Sequence, residues 1–346
     1  MRSRCYNASV PRRRVTIEDV ARAVGVSPST VSRALQDAPV ISAATRRRVA
    51  RVAARLGYVP NQAARSLVTR TTRTFGLMIP DVTDPVHGQV VTGFEQAAAE
   101  AGYTVIMANG FADPQRERRA IALFLAHRAD GVALMGSVLP QARVRATVRP
   151  APVVFINGEH VALAGYASDL ATGCIRSDDL SGIDALVRHL VEGGRRRIGY
   201  AHGRPSASDL TRRDAAARAL RRAVPGSRLI EYGGEGWRSE SALAGLIARD
   251  RPDAVLCYDD KLALRTIAAL RTLGVRVPGD IAVAGFDDIP FAALSNPALT
   301  TVAQRSEEMG RLAVGMLRSA LERAQMPRSI TLPVQLVVRE STARRR

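Results

Sequence analysis

Lysine is almost missing from this sequence: of 50 basic side chains only Lys261 is a lysine. A Walker phosphate loop needs a lysine behind a glycine run, and Lys261 instead follows Tyr258-Asp259-Asp260. Other absences narrow the field further. No run of about 18 apolar residues occurs, which argues against a membrane-spanning helix. The start, Met1 to Asn7 and then Pro11 to Arg14, lacks the apolar stretch of a secretory signal, so a cytoplasmic location is expected. The 3 cysteines, Cys5, Cys174 and Cys257, lie far apart and form no Cys-x-x-Cys unit, which argues against a disulfide framework or a zinc site. The 5 histidines (His87, His127, His160, His189 and His202) show no metal-ligand spacing. No strand is followed by Gly-x-Gly-x-x-Gly, and no Gly-x-Ser-x-Gly elbow occurs. The expectation is a protein without catalytic residues, metal or cofactor, and so not an enzyme.

What is abundant is positive charge, unevenly spread. The formal net charge is +18. Residues 1–70 hold 14 arginines against Glu18, Asp19 and Asp37, a net of +11. Concentrated positive charge is the footprint of a polyanion binder. Residues 1–14 read as a disordered basic tail, but Arg33, Arg46, Arg47, Arg48, Arg51 and Arg55 fall inside helical patterns.

Residues 15–59 read as three short helices. Thr16 is placed to cap the first, with Asp19 three positions on and Ile17, Val20, Ala21 and Val24 on one face. Gly25 stops it. Ser27 caps a second helix with Pro28 at its first position, Val31, Ala34 and Leu35 inward, and Ser29, Ser32 and Arg33 outward. Ser42 opens a third, whose inner face is Val49, Val52, Ala53 and Leu56, and Gly57 ends it. Two short helices around a tight glycine turn, braced by a third, is the helix-turn-helix layout.

The string Val15-Thr16-Ile17-Glu18-Asp19-Val20-Ala21, then Gly25-Val26-Ser27 and Ser29-Thr30-Val31-Ser32-Arg33-Ala34-Leu35, resembles the LacI/GalR family of bacterial regulators. Leu56-Gly57-Tyr58-Val59-Pro60-Asn61 continues the likeness. The resemblance implies that Pro28, Ser29 and Arg33 read bases, Arg33 with a planar fork suited to guanine O6 and N7. It implies that Thr16, Ser27, Thr30, Ser32 and Asn61 position phosphates; capping or solvation is the alternative for each. Residues 60–72 correspond to a hinge helix and linker, with Ala64 and Leu67 at the minor groove, Leu67 as an apolar wedge. A plain linker is the alternative there.

From residue 73 onward, short apolar runs alternate with helical patterns: Phe75–Ile79, Tyr103–Met107, Gly131–Met135, Val153–Ile156, Arg197–Ala201, Ala254–Cys257 and Ile281–Ala284. Such alternation predicts doubly wound parallel α/β sheets. The resemblance adds that this core is like periplasmic binding proteins, with two subdomains: 73–178 with 304–327, and 179–303 with 328–343. Ligands of such sheets sit at strand carboxyl ends. Candidates there are Asp81, Asp178 and Asp179, Asp259 and Asp260, and Asp287 and Asp288, with His87 and His202 beside them.

Two strings sharpen the likeness: Val277-Pro278-Gly279-Asp280-Ile281 with Gly285-Phe286-Asp287-Asp288, and Tyr258-Asp259-Asp260-Lys261-Leu262-Ala263. They carry over Arg212, Trp237, Asp259, Asp287, Gln304 and, less securely aligned, Asp179 as effector contacts, beside Asp81. Asp259 stands where the family usually has asparagine, and Val86-His87 where a pair of phenylalanines often flanks the cleft. The implied function is a repressor: a homodimer, with a tetramer as the alternative, that binds a palindromic double-stranded DNA operator in the nucleoid. A small-molecule effector, a sugar by the chemistry of the contacts and a nucleobase or other metabolite as the alternative, would control it by closing the cleft. Two readings from other classes compete. A solute-binding protein predicts a signal peptide and no basic headpiece. An α/β enzyme needs a catalytic constellation.

Overall fold

The computed structural model describes residues 15–59, 71–157, 172–203, 206–233, 240–322 and 329–343. The chain divides after Thr72 into two compact units.

The first unit holds α1 (Ile17–Val24), α2 (Pro28–Leu35) and α3 (Ala43–Leu56). The punctuation read from sequence sets each boundary. The Thr16 N–H donates to Asp19 Oδ2 at 3.0 Å, and the Thr16 side chain completes the capping box. Gly25 leaves α1 at φ 74°, a left-handed turn that costs glycine little. Ser27 and Ser42 accept the N–H of Thr30 (3.1 Å) and Thr45 (3.3 Å) and so cap α2 and α3. Val20, Ala21, Val24, Val31, Ala34, Val49 and Ala53 are buried together. Leu35, Val52 and Leu56, expected inside, are only half-buried. Three helices this short enclose one central seam and leave its rim open.

The second unit begins β1 (Thr74–Ile79), α4 (Pro85–Glu100), β2 (Thr104–Asn109), α5 (Pro114–Ala126), β3 (Gly131–Met135), α6 (Gln141–Val148), β4 (Val153–Ile156) and β5 (Thr172–Ser177). It continues through α7 (Asp179–Glu192), β6 (Ile198–Ala201), α8 (Ala207–Ala223), β7 (Ile230–Tyr232), α9 (Glu240–Asp250), β8 (Ala254–Cys257), α10 (Asp260–Thr272), β9 (Ala282–Ala284) and α11 (Pro290–Leu294). The last elements are β10 (Thr301–Ala303), α12 (Ser306–Leu321), β11 (Ser329–Leu332) and β12 (Gln335–Val337).

Two parallel sheets result. One has the order β11-β5-β4-β3-β1-β2 and the other β7-β6-β8-β9, while β10 and β12 form a small antiparallel pair. Strands β3, β4 and β8 are buried along their whole length, as strands covered on both faces must be. β2 closes one edge of its sheet and is partly exposed, with Thr104 and Met107 at the surface. The chain leaves the first sheet after β5 and returns to that subdomain with α12, which packs on α4. One expected boundary shifts. Ser329–Leu332 pairs with Cys174–Ser177 in the first sheet, so the last crossover follows Leu332 rather than residue 328. The reason is local: β5 needs a neighbour on its outer side, and β11 supplies its ladder.

Helices α4 and α12 meet backbone to backbone. A Cβ on Gly93 would stand 1.9 Å from the Glu307 carbonyl oxygen, and one on Gly310 would stand 2.1 Å from that of Val90. Both glycines lie inside helices, where each weakens the helix by about 1 kcal/mol relative to alanine. Close helix contact is what offsets that loss. One continuous cluster of buried apolar side chains runs from Phe75, Leu77 and Phe94 in the first subdomain to Val255, Leu262 and Val283 in the second. No helix among the described residues is long and apolar enough to cross a membrane.

Candidate functional site

In the headpiece, Pro28, Ser29 and Arg33 are exposed on α2. The Arg33 side chain makes no hydrogen bond or ion pair among the described residues, so its fork is free to meet a partner. The hydroxyls expected at phosphates already serve the helices. Ser27 caps α2 and lies 2.8 Å from both Ser29 Oγ and Thr30 Oγ1, and Ser32 Oγ accepts from Gln36 Nε2 at 3.3 Å. Arg46 is tied to Asp37 at 3.1 Å, while Arg47, Arg48, Arg51 and Arg55 stand exposed. Asn61, Ala64 and Leu67 lie outside the described residues.

Strand order locates the second site. Within each sheet the chain reverses direction of growth between its first and third strands, β1 and β3 in one, β6 and β8 in the other. The carboxyl ends beside such a reversal form the ligand crevice of doubly wound sheets. The residues there are Asp81 and Asp84 after β1, Ser137 after β3, His202 after β6 and Asp259 after β8.

A closed ring of side chains occupies the region between the two sheets. Arg212 on α8 donates from Nε to Asp179 Oδ2 at 3.1 Å, and its Nη1 lies 3.7 Å from Asp287 Oδ1. The same Nη1 donates to the Tyr258 carbonyl at 2.8 Å. Gln304 Nε2 donates to Asp287 Oδ1 at 2.5 Å, and Asn157 Nδ2 reaches Gln304 Oε1 at 3.5 Å. The Ser177 N–H donates to Asn157 Oδ1 at 3.2 Å, and its hydroxyl to Asp179 Oδ1 at 2.6 Å, which closes the circuit. The Arg212 guanidinium also lies over the Phe286 ring, 3.7 Å from its centroid. Beside the ring opens a cavity of about 120 Å³, lined in part by Asn157, Ser177, Asp179, Ser208 and Thr211.

The backbone is bent to make this possible. Asp287 sits at φ 120° and Asp288 at φ 53°, conformations that non-glycine residues rarely adopt and that cost about 1–3 kcal/mol each. The Asp287 N–H donates to the Val302 carbonyl at 2.8 Å, and Arg339 grips Asp288 at 2.7 Å, which holds the turn. Gly285 precedes it because a Cβ there would stand 2.1 Å from Asp260 Oδ1.

Charge in the site is paired but poorly hydrated. Burial pushes the Asp287 carboxyl well above the usual carboxylate range, against the pull of Arg212 and with help from Asp259, Asp260 and Asp84. Burial likewise raises Asp259, although its Oδ1 accepts the Leu262 N–H at 2.7 Å. Burial works against the Arg212 charge, yet Asp179 and Asp287 raise its pKa. Arg212 Nη2, Asp259 Oδ2 and Asp287 Oδ2 are left without a hydrogen-bond partner among the described residues. A site that offers both a guanidinium donor and carboxyl oxygens suits hydroxyl groups, each of which both donates and accepts.

Of the residues expected to bind an effector, the structure joins Asp179, Arg212, Asp287 and Gln304 in one network, with Asp259 capping α10 beside it. Asp81 turns back on its own loop: its Oδ1 accepts the N–H (2.9 Å) and hydroxyl (2.7 Å) of Thr83. His87 closes the same turn, 2.7 Å from the Asp81 carbonyl. His202 is held between Asp209 (2.8 Å) and Glu231 (3.1 Å). Trp237 lies outside the described residues. Asn157 and Ser177 were not singled out from sequence. Asn157 follows β4 and Ser177 ends β5, so the strand-end rule reaches them once it is widened from carboxylates to every polar side chain.

Comparison with known proteins finds a family match in each of the two units. Residues 16–61 match the family described as bacterial regulatory proteins, lacI family, and residues 187–342 match the periplasmic binding protein-like domain. The chain is 34% identical over 320 residues to the HTH-type transcriptional regulator GalR of Escherichia coli (strain K12), covering 90% of this chain and 91% of that one. It is 32% identical over 335 residues to the HTH-type transcriptional repressor CytR of the same strain, covering 94% and 96%. The solved structure of the Lac repressor dimer bound to operator and the anti-inducer ONPF matches with a TM-score of 0.82 at 26% identity, over 95% of this chain and 99% of that one. The CelR–cellobiose complex matches with a TM-score of 0.67 at 28% identity, over 95% and 100%.

Proposed function

Because the chain belongs to the LacI family of bacterial regulatory proteins, DNA-binding transcription regulators rather than enzymes, we propose that it is a repressor that binds a palindromic operator as a homodimer and responds to a sugar in its cleft. The ring around Arg212 carries this reading. Its buried carboxylates, amides and one guanidinium are a hydroxyl-recognising set, and a sugar offers hydroxyls on adjacent carbons. The CelR–cellobiose complex, whose ligand is a sugar, supports the same class.

Dimerisation is supported by apolar side chains left at the surface of both subdomains. Met107 lies in edge strand β2 and Phe111 just after it, and Phe291 and Leu294 project from α11, Leu294 with 80% of its surface exposed. Two headpieces related by a two-fold axis match the symmetry of a palindrome. DNA would be met in the cytoplasm, at the nucleoid.

The test is a thermal-shift screen of neutral sugars against the full chain, since a ligand of the native state raises Tm. At least one neutral sugar should raise Tm, and Arg212→Met should abolish the rise. A screen in which only nucleosides or phosphorylated compounds stabilise the protein would replace the sugar reading.

A further inference from the structure

The chain's single lysine stands in the cleft, and its ammonium crosses from one subdomain to the other. Lys261 rises from the first turn of α10, and its Nζ lies 2.5 Å from Asp84 Oδ2. Asp84 belongs to the opposite wall. It caps α4, with its Oδ1 accepting the Val86 N–H at 3.0 Å, so its free oxygen is held in a fixed direction. The pair is sheltered: the side chains keep 32% and 10% of their surface exposed.

The rest of the cleft explains why a cation belongs there. Asp81 and Asp84 line the first subdomain's wall, and Asp259 and Asp287 the second's. The negative charge of Asp84 adds to the rise of both the Asp259 and the Asp287 carboxyl, after burial as the main cause. Lys261 opposes that effect at Asp259 and lowers Asp81 as well. Arg212 is already engaged by Asp179 and Asp287. Bringing the walls together therefore confines carboxylates in poorly hydrated space, and their mutual repulsion there is stronger than in water. Lysine also differs in kind from the arginine used elsewhere in the chain. Its charge is a compact point on a flexible stem, able to fill a gap between carboxylates that a planar fork does not fit.

We propose that Lys261 is a latch, whose ion pair with Asp84 holds the two subdomains closed by neutralising carboxylates that would otherwise drive them apart. Removing the ammonium leaves Asp84 largely buried and uncompensated, a state proteins relieve by rearranging. Here the available rearrangement is opening of the cleft, which returns Asp84 to water.

The experiment measures the distance between the walls directly, without DNA or effector, so it stands apart from the proposed function. Spin labels are placed at Val82 and Leu273, exposed residues of the first and second subdomains, in full-length protein carrying Cys5→Ser. The remaining cysteines, Cys174 and Cys257, are buried. Labelled chain is diluted with unlabelled chain so that only distances within one chain are read by electron resonance. Lys261→Gln should move the distance distribution to longer values. Asp84→Asn should do the same while keeping the helix cap, because asparagine caps as well as aspartate. The double variant should open no further than either single one, and Lys261→Arg should fall between wild type and Lys261→Gln. Circular dichroism melting confirms folding of each variant. Distributions that match wild type in both folded single variants would overturn the latch, as would additive opening in the double variant. If Lys261→Gln fails to fold, Asp84→Asn alone decides by the same criterion.

Discussion

Asp260 lies beside the ring around Arg212, yet its work is structural. It is fully buried, accepts the Thr301 hydroxyl at 2.5 Å and the Ile289 N–H at 2.9 Å, and so ties α10 to the turn that carries Asp287. Burial raises its carboxyl to about 7, against the pull of those two bonds. In the unfolded chain it titrates near 3.9. The folded state therefore holds its proton more tightly than the unfolded state. Its contribution is fully favourable below about pH 4 and is lost as pH rises through about 7. Asp260→Asn removes this titration. The stability margin of wild type over Asp260→Asn, measured by urea unfolding, should narrow by on the order of a few kcal/mol between pH 4 and pH 8. A margin that does not vary with pH would mean that the carboxyl is ionised throughout. Arg33 is the other residue whose role is testable alone. If it reads guanine, Arg33→Ala should lose about 1–3 kcal/mol at one base pair per half-site, as measured by competition among operators changed at single positions. Equal loss on every operator would reassign it to phosphate.

The helix pair α4 and α12 sets the geometry of the first subdomain at the scale of elements. Gly310 meets the backbone of α4, whereas Gly315, on the same helix, has no atom within 4 Å of its would-be Cβ. The two positions therefore separate propensity from packing. Gly315→Ala should stabilise by about 0.5–1 kcal/mol through helix propensity. Gly310→Ala should destabilise by about 1–3 kcal/mol, because the added methyl forces two backbones apart. Chemical denaturation of both variants provides the comparison, and a stabilised Gly310→Ala would show that the helices can separate without loss. A sequence shows two glycines in an apolar helical run but not which one faces a neighbour. The strand-end carboxylates illustrate the same limit. Asp81, Asp259 and Asp287 share one position in the local pattern, yet only Asp287 joins the ring directly, while Asp81 closes its own turn and Asp259 caps a helix. Which role each takes depends on the loop conformation and on what the opposite sheet presents.

The whole molecule combines a strongly basic headpiece with a core that carries comparatively little net charge. Residues 1–70 hold +11 of the +18. Each phosphate neutralised on DNA releases condensed counterions, so operator affinity should fall steeply with salt. A dimer that makes several phosphate contacts per headpiece should lose roughly 10³-fold or more in affinity between 50 and 200 mM salt. Fluorescence anisotropy on a palindromic operator gives the slope, and a flat response would remove DNA binding through this headpiece.

The sequence by itself determined the helix-turn-helix boundaries, the alternating strands and helices, and the strand-end positions of the cleft. These follow from local rules: caps, glycine stops, proline at a first helical position, and apolar runs between them. Tertiary structure decided what those rules cannot reach. Arg212 meets Asp287 and Gln304 although more than 70 positions separate it from them in the chain, and Asn157 and Ser177 complete their circuit from a different sheet. Strand β11 joined the first subdomain because β5 needed an edge partner. The single lysine, first informative as evidence against a Walker loop, acquired its role only when folding set it against Asp84, 177 positions earlier in the sequence. Long-range pairing depends on where sheets stack and chains cross over, and no local pattern encodes that.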